Sequence, residues 1–426
     1  MVNCKDTRKD FPMLDGKTLM HGKPLIYFDN GATTLKPQCV IDAVCEYLSS
    51  YSGNAHRGDY DLSHQVDVAY EEAREVVQHF IHAKRKEEVV FTSGATDSLN
   101  LIANGYAKTH LKAGDEILLN VAEHASNTLP WFDVAEETGA VVKYIELDEE
   151  GRMTLENVKK AVTENTKIIS LAIVTNVLGY EVPIKEITEY AHSKGIIVVA
   201  DGAQSVPHIV TDVVRDDVDF LAFSGHKMCG PTGVGVLYGK YELLEETKPT
   251  RFGGGSNSRY NSCGLVTLKE PPYKFEAGTP HIEGVIGLGA AVKYLQSIGM
   301  ENIRQRELEL RHYAIEKMSQ LDNVTVYNPT SEGAIAFNIK DVFAQDAASL
   351  FNTYGIAVRA GEHCAKILDE FLKVRTTCRV SFYFYNTEEE IDQFIEACKK
   401  GDDFLDAFFG LSNDHERNYY GPLSES

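Results

Sequence analysis

Between Glu87 and Gly239 the chain alternates two hydrophobic patterns. Short, nearly unbroken apolar runs recur as "EEVVFTS", "DEILLN", "AVVKYIEL", "KIISLAIV", "GIIVVAD", "VDFLAFS" and "GVGVLYG". Between several of them lie helix-period stretches, such as "TDSLNLIANGYAKTH" and "NTLPWFDVAEETG", where Pro130 suits a first helical turn. Strands without polar alternation are buried on both faces, and strands separated by helices pair in parallel. The pattern predicts an α/β fold: a mostly parallel sheet of the seven-stranded type between helices, within a large domain over 29–282.

The pattern then changes. "GGGSNS" reads as a flexible loop, and two helical segments follow near Glu283 to Gln320. Short strands "VTVYN", "AIAFNI" and "IAVRA", a strand around Arg379 to Phe384, and the acidic helix start "NTEEEIDQFIEACKK" complete a smaller α+β domain over 283–410. Residues 1–28 are expected to pack with that domain. The tail 411–426 lacks periodicity and aliphatic residues, so disorder is expected there.

Composition narrows the function classes. The 426 residues are 43% hydrophobic and 25% charged, ordinary globular usage. A net charge of −21 without a Lys/Arg stripe argues against nucleic acid and anionic membranes as partners. No apolar run approaches the roughly 18 residues of a membrane span. Eight cysteines without CxxC spacing indicate neither a metal site nor a disulfide framework, and with no signal-like start the expected location is cytoplasmic.

The chemistry gathers at strand ends, where open α/β sheets bind ligands. Asp201 closes "GIIVVAD", with Gln204 three residues on; it reads either as a helix cap or as the partner of a cationic heterocycle nitrogen. Lys227, in "FSGHKMCGPTGVG", is either a solvated charge or an amine that forms a Schiff base, and Ser224 and His226 beside it suit a phosphate. The small residues of "FTSGATDSLNL", including Ala95 and Thr96, leave amides at a helix start, a phosphate cradle or an ordinary turn. It is neither GxxxxGK[ST] nor GxGxxG. His124 follows "DEILLN", where an imidazole can stack on a flat ring and handle protons. Cys364, in "VRAGEHCAKIL", is by itself more readily a buried filler than a nucleophile.

Taken in order, "DFPML", "YFDNGATTLKP", "NAHRGDYDLS", "EVVFTSGATDSLNLIAN", "EHASN", "TNVLGYEVPI", "VVADGAQSV", "FSGHKMCGPTGVGVLY", "FGGGS", "FEAGTP", "GIAVRAGEHCA" and "RVSFYFYNTEEEID" span about Asp10 to Lys400. This ordered set resembles class V, fold-type I pyridoxal phosphate enzymes, specifically cysteine desulfurases of the SufS type. The resemblance implies that Lys227 holds the cofactor, Asp201 pairs with its ring nitrogen, Gln204 bonds its phenolic oxygen and His124 stacks on it. Ala95, Thr96, Ser224 and His226 would hold the phosphate. Thr279 would reach the phosphate of a partner subunit, implying a homodimer. Asn176 and Arg379 would orient L-cysteine, with Arg379 on its carboxylate, and Arg359 and His56 would line the site. Cys364 would take the sulfur as a persulfide and leave alanine, with His363 or a cationic surrounding favouring the thiolate.

The implied destination is iron–sulfur cluster assembly on a scaffold, through a shuttle of the SufE or SufU type. Gln345 stands where a histidine is often found in the branch that serves a zinc-bearing acceptor, and "EHASN" lacks the second histidine of many relatives. A selenocysteine lyase and a class V aminotransferase are the alternatives.

Overall fold

A computed structural model describes residues 4–55 and 58–401. His56 and the tail 411–426 lie outside the described residues. All seven apolar runs are strands of one sheet: β1 (Val89–Thr92), β2 (Glu116–Asn120), β3 (Val141–Ile145), β4 (Thr166–Ala172), β5 (Ile197–Asp201), β6 (Phe220–Ser224) and β7 (Gly235–Gly239). Their spatial order is β1-β7-β6-β5-β4-β2-β3. Strands β3, β2, β4, β5 and β6 pair in parallel, and β7 runs against both β6 and β1.

Successive side chains of β2, β4, β5, β6 and β7 enter different cores, which is why those runs show no polar alternation, whereas edge strand β3 exposes Val141 and Lys143. Leu118, Ile169, Val198, Leu221 and Val236 pack on one side with Val285 and Leu288 of helix Ile282–Ile298. Ile117, Ile168, Val199, Ala222 and Leu237 pack on the other with Leu99 and Trp131. Gly235 lets β7 approach the first sheet turn: a Cβ there would lie 2.4 Å from Gly94 Cα and 2.6 Å from Phe223 O.

A second, antiparallel sheet follows the order β8-β9-β11-β10, from β8 (Val324–Val326), β9 (Ile335–Ile339), β10 (Arg359–Gly361) and β11 (Thr377–Val380). Helices Met300–Met318, Ala344–Thr353 and Glu388–Lys399 cover it through Leu310, Phe351 and Phe394. The expected strand at Arg379 to Phe384 starts earlier and ends at Val380. Beyond it Phe384 and Tyr385 pack edge-on and tilted against Phe11, with ring centroids 5.9 and 4.4 Å apart. Arg8 adds an ion pair to Glu390 at 2.7 Å. Ile26–Tyr27 pairs in parallel with Ile356–Ala357, so the chain start is stitched to residues 330 positions later.

Residues 253–256 of the "GGGSNS" stretch form the expected loop, without strand or helix. Its end enters a β-hairpin, Asn257–Tyr260 against Val266–Leu268, closed by Asn261 Oδ1 accepting the amides of Cys263 and Leu265. No helix among the described residues is long and apolar enough to cross a membrane.

Candidate active site

A cavity of about 180 Å³ opens at the carboxyl ends of the parallel strands and is closed by β10 and β11 of the second sheet. The parallel sheet brings Asp201, Ser224 and the turn after β2 to its wall; the second sheet contributes Arg359 and Arg379. Ala95, Thr96, Asn176, Gln204, His226 and Lys227 complete the predicted residues that meet there.

Asp201 ends β5, is 4% exposed, and accepts the Ala203 amide at 2.9 Å. Burial pushes its carboxyl above the usual range. Lys227 leaves the last turn after β6, half-open to the cavity yet densely surrounded. Desolvation pushes its amine down to about 8 against the pull of Asp201. Gln204 Nε2 donates to Gly31 O at 2.7 Å, which leaves one amide hydrogen free for a ligand.

His124 is held by a backbone contact: the Ser126 amide donates to its Nδ1 at 3.1 Å. Burial, then the Lys227 charge, pushes the imidazole down to about 4, so it is neutral near pH 7 with its proton on Nε2. Ser126 also bonds Thr96 Oγ1 at 2.7 Å. Ser224 Oγ accepts the Ala95 amide at 2.8 Å, joining β6 to the turn after β1. That turn passes through Gly94 at φ +151°.

Arg379 is buried; Nη1 donates to Asn176 O at 2.9 Å and Nη2 to Asp29 Oδ1 at 3.3 Å. Its Nε and Asn176 Oδ1 have no partner among the described residues. Gly31 makes room for the guanidinium, since a Cβ would lie 3.0 Å from Nη2. Asp29 was not singled out from the sequence, although it follows an apolar pair as Asp201 follows its strand.

Cys364 is exposed, and Arg359 Nη2 donates toward its Sγ at 3.6 Å. His363 and Cys364 both take left-handed φ values, +50° and +57°. The large sheet's edge clamps the two carbonyls: Asn176 Nδ2 donates to His363 O at 2.9 Å and the Ala125 amide to Cys364 O at 2.7 Å. The expected His363 contribution to the thiol is not supported. Its Nε2 bonds Thr377, its ring is buried, and burial pushes it down to about 3, so it brings no positive charge. Arg359 supplies the cationic surrounding instead. Thr279 lies away from this cavity, on a separate one of about 320 Å³ with Arg251 and Glu276.

The wall suits a ring with a basic nitrogen at one end, an aldehyde and a phosphate. It has a buried acid, an amine of depressed pKa, a flat neutral imidazole and hydroxyl groups at a helix start, with orphaned polar atoms left for a ligand. The fold and this wall are those of a pyridoxal phosphate enzyme, and the chain belongs to the class-V aminotransferase family, whose model matches residues 26–394. Within that family it stands among the cysteine desulfurases. It is 46% identical to the probable cysteine desulfurase of Halalkalibacterium halodurans over 411 residues, which cover 96% of this chain and 100% of the relative. The solved cysteine desulfurase CsdA of Escherichia coli matches with TM-score 0.87 and 36% identity over 95% of this chain and 99% of its own. That of Thermococcus onnurineus matches with TM-score 0.88 and 37% identity, covering 94% and 98%. The cofactor of the chain is pyridoxal 5'-phosphate.

Proposed function

We propose that this chain moves sulfur from L-cysteine to Cys364 and releases L-alanine, in the manner of a SufS-type desulfurase. The observation that carries the reading is the single cavity that unites Asp201, Lys227 and Arg379, with Cys364 and Arg359 in contact at 3.6 Å beside it. When bound, the cofactor supplies an electron sink for charge developing at the substrate α-carbon. Lys227 anchors it, Asp201 pairs with its ring nitrogen, and Gln204, Thr96, Ser224, His226 and the Ala95 turn hold its oxygens. Arg379 grips the substrate carboxylate through the guanidinium edge left open, with Asn176 beside it.

The Lys227 amine, which burial lowers to about 8, is suited to take the substrate α-proton near neutral pH. His124 carries a proton on Nε2 and can pass it to the reacting carbon skeleton. The Cys364 thiolate attacks the substrate sulfur; an S–S bond forms as the C–S bond breaks, and that electron pair stays with the carbon skeleton. Protonation of the skeleton then yields alanine, while Cys364 keeps the sulfur as a persulfide.

The wider setting belongs to the same proposal. The enzyme acts in the cytoplasm as a homodimer, with Thr279 completing the partner's phosphate site, and supplies iron–sulfur cluster assembly. The clamped Cys364 backbone restricts reach, which favours a SufE- or SufU-type shuttle that comes to the thiol. Gln345, exposed in the first turn of helix Ala344–Thr353, leaves the choice of shuttle open. Incubation with L-cysteine and a reductant is expected to give alanine and sulfide in equal amounts, and none from Lys227→Ala. Turnover that survives this substitution, or alanine that requires a keto acid, overturns the reading. Full activity of Cys364→Ala on L-selenocysteine, with none of the variants or wild type acting on L-cysteine, would assign a lyase instead.

A further inference from the structure

Ser126 lines the cavity beside Ala95, Thr96, His124 and Ser224, although the strand-end pattern did not single it out. It sits in the short helix Ala125–Asn127 that follows His124. Two groups of the site meet on it. Its backbone amide donates to His124 Nδ1 at 3.1 Å, and its hydroxyl lies 2.7 Å from Thr96 Oγ1. Thirty positions separate the two hydroxyls, so the turn after β1 touches the turn after β2 at this pair. Neither hydroxyl has another hydrogen-bond partner among the described residues.

The direction of that bond is set by what the cavity binds. A hydroxyl has one proton to give and two sites that accept. At Ser224 the neighbour is the Ala95 amide, which can only donate, so Ser224 accepts there and its own proton is not spent on the bond. At Thr96 the neighbour is a second hydroxyl, and either oxygen can give the proton. A phosphate oxygen only accepts. When Thr96 turns its proton to a phosphate, its oxygen faces Ser126 with lone pairs alone. The contact then survives only if Ser126 supplies the proton. The bonds run one way, from Ser126 to Thr96 to the anion, and each donor polarises the next. The same bond holds the Thr96 hydroxyl in one orientation, so less ordering remains to be done on binding.

We infer that Ser126 is a positioning residue for the cofactor phosphate: its hydroxyl donates to Thr96 Oγ1 and turns the Thr96 proton toward the anion. The inference rests on the phosphate role given above to Thr96. Dialysis of the holoenzyme to equilibrium at graded concentrations of pyridoxal 5'-phosphate, or of phosphate-free pyridoxal, gives a dissociation constant for each probe. Both carry the same ring and aldehyde, so the ratio of the two constants isolates the phosphate. Ser126→Ala is expected to weaken pyridoxal 5'-phosphate by about three- to tenfold, the worth of one hydrogen bond, and to leave pyridoxal within about twofold. Ser126→Thr keeps the hydroxyl and is expected to restore the wild-type ratio. In a Thr96→Val background Ser126→Ala should cause no further loss, because the residue acts through Thr96. Equal weakening of both probes by Ser126→Ala would reduce Ser126 to a structural role and overturn the inference. So would a ratio that Thr96→Val lowers and Ser126→Ala does not, or a further loss in the Thr96→Val background. A wild-type ratio in Thr96→Val would overturn the phosphate role of Thr96 and the inference with it. None of these readings depends on desulfurase turnover.

Discussion

Cys364 has a guanidinium for its neighbour, and the charge should be measurable in the thiol's choice of reagent. Arg359 Nη2 lies 3.6 Å from Sγ, a contact that draws anions to the sulfur. Arg359→Ala is expected to lower the ratio of iodoacetate to iodoacetamide alkylation rates at Cys364 by several-fold, whereas His363→Ala should leave it unchanged. A drop in the histidine variant alone would restore the His363 role. Asp29 is the second residue with a consequence for activity, because it holds one arm of Arg379 at 3.3 Å. Asp29→Asn removes a charge-assisted bond, so KM for L-cysteine should rise by about tenfold while kcat falls much less. Equal loss in both parameters would place Asp29 in the chemical step.

At the scale of elements, the strands were readable because burial on both faces leaves a continuous apolar signature, as in β2, β6 and β7. The helix after β1 was legible too, yet not its internal change to π geometry over Ile102–Ala107. Gly105 sits there with its carbonyl accepting the Lys248 amide, and a Cβ would lie 2.3 Å from Lys248 O. Nothing local to that helix announces a contact with a segment 143 residues away. The same applies to β7 and the Gly94 turn. Gly235→Ala forces a methyl into the Gly94 backbone, so cofactor affinity should fall by at least about tenfold, read from cofactor retained on dialysis. Wild-type retention would mean the turn absorbs the methyl without moving the Thr96 and Ala95 groups.

For the whole molecule, the decisive contacts cross long distances in sequence. Arg74, on helix Asp61–Phe80, meets Glu276 at 2.8 Å, and both are buried. Glu276 also accepts the Phe91 amide at 2.9 Å, so one carboxylate joins a helix, β1 and the segment leading to Thr279. Breaking a buried pair by removing one charge costs about 3–5 kcal/mol. Glu276→Gln should lower urea-denaturation stability by that order, and an unchanged midpoint would show the pair to be dispensable. The hairpin that follows the "GGGSNS" loop was not legible, and its turn is closed by the Asn261 side chain accepting two later amides.

By itself the sequence determined the sheet, the placing of Asp201, Ser224, Lys227 and His124 at strand ends, and the kinship that the ordered motifs carry. Those follow from local rules: apolar continuity marks a strand buried on both faces, and a polar residue just past it must lie at the sheet's edge. Only the tertiary structure decided which charges meet. Arg379 finds Asp29 across 350 positions, and Cys364 takes Arg359 over its own neighbour His363. Protonation and nucleophilicity depend on burial and on the nearest charge, and both arise when distant segments exclude water around one point.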